Sequence, residues 1–209
     1  MDILNSMACR TLKCRISIPP EARYLVAVGL EGIVESVERQ TIEMMKRGEK
    51  QGALLAAVLH TLEHRAFWIS LRDFSLGVTG NHPGFIALKS NFLISRCEEM
   101  MRNCEEITAR LGLDCALICR SGSGILYSYI LTDKNPKIEF DVLKELIENQ
   151  TSSAVKNEGN LVVESCTLPL KQKVDVWGHP RGDYQIMRRL KEEIDPKAVL
   201  NPGRFVGGI

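Results

Sequence analysis

The chain contains no uninterrupted apolar run of roughly 18 residues, so a membrane-spanning helix of ordinary length is excluded. It does not open on the apolar core of a secretion signal, because Cys9 to Arg15 is already polar. An excess of one charge sign is also missing. Twenty-seven lysines and arginines stand against 26 acids, giving a net charge of +1, and the two signs alternate along the chain. Without a basic stripe there is nothing to track nucleic acid or an acidic membrane surface. Internal repeats and low-complexity stretches are absent, which excludes a solenoid or a polar linker array. Cysteine is not scarce: there are seven, an odd number. With no export signal, that count implies reduced thiols and a cytoplasmic location.

What is present is enough for one large domain, or one with an appendage, in 209 residues. Leu12, Cys14, Ile16 and Ile18 alternate with Lys13, Arg15 and Ser17, a half-buried strand pattern stopped by Pro19-Pro20. Tyr24 to Leu30 is a short continuous apolar run and reads as a buried strand. From Gly32 onward Val34, Val37, Thr41, Met44 and Met45 mark a helix, with a break at Gly48 to Gly52. Leu55, Val58, Leu59, Leu62, Ala66 and Ile69 mark a second helix through about Arg72, followed by a loop from Gly77 to Gly84.

The centre has a cleaner rhythm. Phe85 to Phe92 is a strand, and Ile94, Cys97, Met101, Cys104, Ile107 and Leu111 stripe the next helix. Leu113 to Cys119 and Ile125 to Leu131 are strands joined by Arg120-Ser121-Gly122-Ser123-Gly124, a hairpin-length loop. Phe140, Leu143, Leu146 and Ile147 begin another helix, and Leu161 to Cys166 is a strand. The order β-α-β-β-α-β gives the fold class: α+β, a ferredoxin-like antiparallel sheet with helices packed on one face. To it are added an extra strand–helix–helix unit and a C-terminal helix and tail.

That tail is the most specific segment. Met187, Leu190 and Ile194 share one face of a helix from Tyr184 to Ile194, with Asp183 placed to cap it. Pro196 stops the helix. Asn201-Pro202-Gly203-Arg204 then forms a β-turn, since Pro202 fixes φ at the second position and Gly203 tolerates positive φ at the third. The Asn201 amide, donor and acceptor at once, is left at a rigid corner, where it can pair with backbone or with the edge of a heterocycle.

Other candidate sites compete with plainer readings. His60 and His64 lie one helical turn apart, a spacing that can grip a metal, but glutamate does not directly follow the first histidine and a third ligand is not evident. Cys115 with Cys119, and Cys97 with Cys104, fall on apolar faces and read as small core hydrophobes. The Ser-Gly hairpin lacks the following helix that a phosphate loop needs. Lys89 alternates onto the face opposite Ile86 and Leu88. With Tyr127 or Tyr129 it can stand on the uncovered face of the sheet, exposed to solvent or meeting a carboxylate or a partner domain.

The segments Val174-Asp175-Val176-Trp177-Gly178, Met187-Arg188-Arg189-Leu190-Lys191 and Asp195 through Ile209 resemble the C-terminal end of FAD-linked oxidases of the vanillyl-alcohol oxidase/p-cresol methylhydroxylase type. They look most like the E subunit of bacterial glycolate oxidase. Phe67-Trp68-Ile69-Ser70-Leu71-Arg72 and Val28-Gly29-Leu30-Glu31-Gly32 carry a weaker likeness to the same family. The resemblance implies a cap domain over residues 21–209 that closes on FAD and shapes the substrate pocket, with residues 1–20 the remnant exit strand of an FAD-binding domain absent from the chain. It implies Asn201 and Arg204 near the flavin, and Lys89 and Tyr127 become the substrate-side candidates.

The implied chemistry is oxidation of a 2-hydroxy acid by FAD. The implied partners are an FAD-binding domain or subunit and the flavoprotein and iron–sulfur subunits of a glycolate oxidase complex. The location is cytoplasmic, or peripheral to the inner membrane through those partners. No glycine-rich pyrophosphate segment precedes the cap. The relatives' metal motif is replaced by Cys119 to Tyr127 at the hairpin, and their Glu-His pair by Glu164-Ser165. The metal and the base implied by the relatives are therefore missing, and the isolated chain is expected not to catalyse. The alternative from another class is a non-enzymatic ferredoxin-like interaction or small-acid-sensing module.

Overall fold

The computed structural model describes residues 1–12, 18–82, 84–132, 140–178 and 182–209, with the Asn81 side chain left out. Its elements are β1 (Asp2–Asn5), α1 (Ser6–Thr11), β2 (Tyr24–Ala27), α2 (Val34–Lys50), α3 (Thr61–Arg72), α4 (Phe74–Asn81) and β3 (Ile86–Asn91). A 3-10 turn (Ile94–Arg96) leads into α5 (Cys97–Arg110), β4 (Asp114–Arg120), β5 (Ile125–Leu131), α6 (Phe140–Lys156), β6 (Asn160–Ser165), α7 (Leu168–Lys171) and α8 (Tyr184–Ile194).

One antiparallel sheet carries the fold, in the order β2-β1-β4-β5-β3-β6. Four adjacent strands, β4-β5-β3-β6, with α5 and α6 as crossovers, are the ferredoxin-like unit expected from the central rhythm. Period-two alternation splits the sheet residues between its faces. Ile86, Leu88, Cys115, Leu117, Cys119, Leu126, Ile130, Leu161 and Val163 face α5 and α6, meeting Met100, Met101, Cys104, Leu146, Ile147 and Ala154 in the larger core. Gly124 (φ 61) closes the β4–β5 hairpin, and a Cβ there would strike the Phe92 carbonyl, so only glycine fits.

The second face is not wholly open. Leu4, Ala87, Ala116, Ile118, Tyr129 and Leu131 of the sheet are covered by Ala8 of α1 and Leu12 just after it, and by Phe67, Leu71, Phe74 and Val78 from α3 and α4. The cover ends near Tyr127, leaving one end of this face exposed.

Several local expectations change. Most of the strand expected over 12–18 lies outside the described residues. Leu12 itself caps α1 at its C-terminus and is buried, while Asn5 caps its start by accepting from the Ala8 N–H at 2.9 Å. The run Tyr24 to Leu30 gives only a four-residue strand, and β2 is a half-exposed edge rather than a buried strand, because among the described residues it pairs with β1 alone. Helix α2 runs through Gly48 to Lys50 and buries none of its apolar stripe. The second helix starts only at Thr61, where φ is +42, so the apolar residues 53–59 are not helical. Its inward face is Phe67 and Leu71, whereas Leu62 is 78% exposed. The loop expected from Gly77 to Gly84 is mostly helix α4, held by Phe74 and Val78 against the second face.

Candidate functional site

Two places gather the residues singled out from the sequence. The first is the exposed end of the second sheet face. Lys89 on β3 and Tyr127 on β5 are cross-strand partners, with the Lys89 ammonium 5.6 Å from the Tyr127 ring centroid. Arg120, at the end of β4 on the other side of β5, brings its guanidinium 5.3 Å from the same ring. One tyrosine thus lies between two cations from its neighbouring strands, and its ring stacks toward Tyr129 at 6.4 Å.

Carboxylates border these cations. The Glu164 carboxylate lies 3.6 Å from the Lys89 ammonium. The reason is a register shift: Val163 pairs with Leu88 but Ser165 pairs with Ala87, so Glu164 is the extra residue of a bulge. Asp2 lies opposite Arg120 in the β1–β4 ladder. Burial raises the Asp2 carboxyl above its ordinary value, opposed by the charges of the N-terminus and Arg120. Burial also holds the Tyr129 phenol well above its ordinary value, and the Glu164 charge adds to this. The chemistry available here is charge balance for a small anion beside an aromatic ring, with Glu164 competing for Lys89.

Sequence reasoning named Lys89 and Tyr127 but missed Arg120, Asp2 and the role of Glu164. Arg120 was legible: it follows Ile118 by two residues and so shares its face. The bulge at Glu164 had no signal in the local pattern.

The second place is the tail. The β-turn forms as expected, with the Arg204 N–H donating to the Asn201 carbonyl at 3.2 Å and Gly203 at φ 70. Asn201 itself takes φ 48, a left-handed conformation that asparagine tolerates better than most residues. Asp195 organises the corner. Its carboxylate accepts from the Val199 and Leu200 N–H groups at 3.0 and 2.9 Å and from the Lys191 ammonium at 2.5 Å. The Lys191 bond, then the Leu200 N–H, holds this carboxyl below its ordinary value. The Trp177 indole N–H donates to the Arg204 carbonyl at 3.2 Å, and the Trp177 and Phe205 rings meet edge-on at 5.1 Å.

Helix α8 spans the expected residues, but its apolar stripe does not enter the core. Leu190 is 56% exposed and Ile194 75%. Asp183 occupies the capping position with its carbonyl alone, accepting from the Ile186 and Met187 N–H groups, and makes no side-chain cap. Met187, Leu190 and Lys191 instead line a recess of about 510 Å3 with Leu200, Asn201, Arg204, Phe205 and Ile209. Among the described residues the side chains of Asn201 and Arg204 have no hydrogen-bond or ion-pair partner. The recess therefore offers an apolar floor, a free amide and a free cation at its rim. That donor set suits a planar heterocycle, on one side only.

The histidines go elsewhere. His64 accepts the Trp68 indole N–H at 3.0 Å, and His60 stands at the start of α3. Among the described residues no three His, Cys, Asp or Glu side chains gather around a common point that could hold a metal ion. Nor is any described helix long and apolar enough to cross a membrane.

Glycolate oxidase subunit GlcD of Bacillus subtilis (strain 168) is 22% identical over 193 residues, covering 91% of this chain and 41% of that protein. The chain thus spans well under half the length of this relative. The family model described as FAD linked oxidases, C-terminal domain, matches residues 1–205. With a ferredoxin-like sheet, a bulged polar end and a hooked tail lying within that match, the chain belongs to the family of C-terminal domains of FAD-linked oxidases.

Proposed function

We propose that this chain is the cap, or substrate-side domain, of a glycolate-oxidase-like FAD-dependent 2-hydroxy-acid oxidoreductase. It covers a flavin held by an FAD-binding domain or subunit. On this reading residues 21–209 are the cap, and residues 1–20, which include β1 and α1, are the segment that arrives from the flavin-holding part. The reading rests on the tail recess, where a partnerless Asn201 amide and Arg204 cation rim an apolar floor.

FAD, when bound, supplies the two-electron acceptor. The chain's own residues do the positioning. Asn201 presents both a donor and an acceptor to the edge of the ring, Arg204 adds positive charge, and Leu200 and Phe205 exclude water from its face. On the substrate side Lys89 and Arg120 balance the carboxylate of a 2-hydroxy acid, and the Tyr127 ring walls the space between them. This chain is assigned no catalytic base. A single open wall retains a flavin poorly, so the isolated chain is inactive. Placement in the cytoplasm, or against the inner membrane through flavoprotein and iron–sulfur partners, belongs to the same proposal.

The test is spectroscopic. The chain is purified with added FAD, desalted, and its flavin absorbance measured per polypeptide. A trace is expected, and retention of one flavin per chain contradicts the claim that it depends on another domain for the cofactor.

The exposed apolar side chains Ile33, Val34, Leu54, Leu55 and Leu62 favour a second reading, a non-enzymatic interaction or small-acid-sensing module. Affinity capture separates the two. Recovery of flavoprotein and iron–sulfur subunits supports the oxidase, and self-association alone supports the module.

A further inference from the structure

The polar end of the sheet and the tail recess are joined through one short segment. Residues 174–178 run beside the outer edge of β6, the strand that carries the Glu164 bulge. The Val163 N–H donates to the Val176 carbonyl at 2.8 Å. Gly178 takes φ 72, and a Cβ there would come within 3.2 Å of the Leu161 carbonyl, so the chain still lies against the strand two residues later. Val174 and Val176 pack on the larger core from this side. Trp177 reaches the other way, to the tail. The Asp175 carboxylate accepts from its backbone N–H at 3.0 Å, an Asx turn that fixes where the indole starts. The indole N–H then donates to the Arg204 carbonyl, and the ring meets Phe205 edge-on.

One backbone bond is therefore shared by both places. Glu164, which pairs with Lys89, directly follows Val163, and Trp177, which holds Arg204, directly follows Val176. Helix α8 buries none of its residues, so it gives the tail little anchorage of its own. Its Tyr184 hydroxyl bonds to the Gly207 carbonyl and thus ties helix to tail, not tail to sheet. Trp177 supplies a hydrogen bond and a ring contact that cross from the sheet side to the hook.

We propose, resting on the reading of the recess as the flavin side, that Trp177 is a positioning residue that sets the distance between the tail recess and the anion-binding end of the sheet. It acts through Arg204 and Phe205 rather than on the substrate. The Arg204 N–H closes the turn onto the Asn201 carbonyl, so holding the Arg204 backbone also fixes the corner that presents the Asn201 amide. The carboxylate of the acid is held separately, by Lys89 and Arg120. Turnover depends on the separation of the two places, since a misplacement of about 1 Å can cost about a hundredfold in rate. Loss of Trp177 therefore slows turnover and leaves acid binding in place.

Two variants separate the contacts. Trp177→Phe keeps a ring against Phe205 and loses the N–H, and Trp177→Ala loses both. In the isolated chain, backbone hydrogen exchange is followed by mass spectrometry. Trp177→Ala is expected to speed exchange across 199–209 by about tenfold or more, with Trp177→Phe in between, while strands β3 and β6 exchange as in the wild type. Equal acceleration in those strands, or none in the tail, overturns the proposal. In the chain joined to its FAD-binding partner, Trp177→Ala is expected to lower kcat for glycolate by about tenfold or more, with KM within about twofold of the wild type. A raised KM at unchanged kcat, or no change in either, overturns it. A wild-type assembly that carries no flavin overturns the oxidase reading and this proposal with it, and that failure is distinct because it shows before any substitution is made.

Discussion

Lys89 and Tyr127 face each other across β3 and β5, and the ammonium that leans over the ring also lies 3.6 Å from the Glu164 carboxylate. This lysine is therefore shared between a ring and an acid, and the acid reaches it only because β6 bulges at Glu164. Exposed ion pairs contribute about 0–1 kcal/mol, so Lys89→Met should shift the denaturation midpoint little. The same change removes one of two cations from the anion position. Binding of glycolate or lactate by the chain joined to its FAD-binding partner should fall by about tenfold or more, since a charged hydrogen bond contributes about 1.5–3 kcal/mol. Calorimetric titration checks this. Glu164→Gln frees Lys89 and should move affinity in the opposite direction.

Two leucines test which faces carry the stability. Leu117 is wholly buried between the sheet and α5, while Leu62 on α3 is 78% exposed. Leu117→Ala should cost about 2–5 kcal/mol in urea denaturation, through lost transfer energy and the cavity left behind. Leu62→Ala should stay within about 0.5 kcal/mol. Equal effects would contradict the inward face formed by Phe67 and Leu71.

The contrast between these leucines also marks what the sequence could convey. Residues 85–166 were legible because each element there is amphipathic against a partner within the same stretch. Their periodicity records a packing that exists. The apolar stripe of α2 and residues 53–58 mislead because none of them is buried in either core cluster of the described residues, so their hydrophobicity carries little record of local geometry. Helix α4 was hidden by Gly77 and Gly80, whose low helix propensity is overridden by the burial of Phe74 and Val78. The turn that carries Asn201 was readable from its Pro-Gly chemistry and the face of Lys89 from alternation, whereas Arg204 entered only through the family resemblance. The Glu164 bulge was not readable, because it depends on the register between two strands.

Tyr129 should be the last tyrosine to ionise. It is 6% exposed, and burial raises its phenol far above the ordinary value of 10. A raised folded-state value means that the neutral form is favoured in the native chain. Its contribution to stability is complete below pH 10 and is lost as pH climbs through the folded value. Phenolate absorbance against pH should show one late step that coincides with alkaline unfolding. Tyr129→Phe should remove that step, and its persistence would assign the late titration elsewhere.

Asp195 should make the tail acid-labile. Its carboxylate binds the Val199 and Leu200 N–H groups and Lys191, and these bonds exist only with the charged form at full strength. The folded value is lowered from the ordinary 3.8, so the hook is fully stabilised above pH 3.8 and loosens as pH falls through the lower folded value. The Trp177 indole, bonded to the Arg204 carbonyl and set against Phe205, reports the event. Its emission should shift to the red over that acid window, before the sheet signal is lost in far-ultraviolet circular dichroism. Comparison with Trp68→Phe isolates Trp177 as the source. Asp195→Asn keeps the shape but loses the charge, so it should show the shifted emission already at neutral pH and weaken flavin capture by the assembled enzyme. If this variant kept the wild-type emission, Asp195 would not be what orders the corner that presents Asn201.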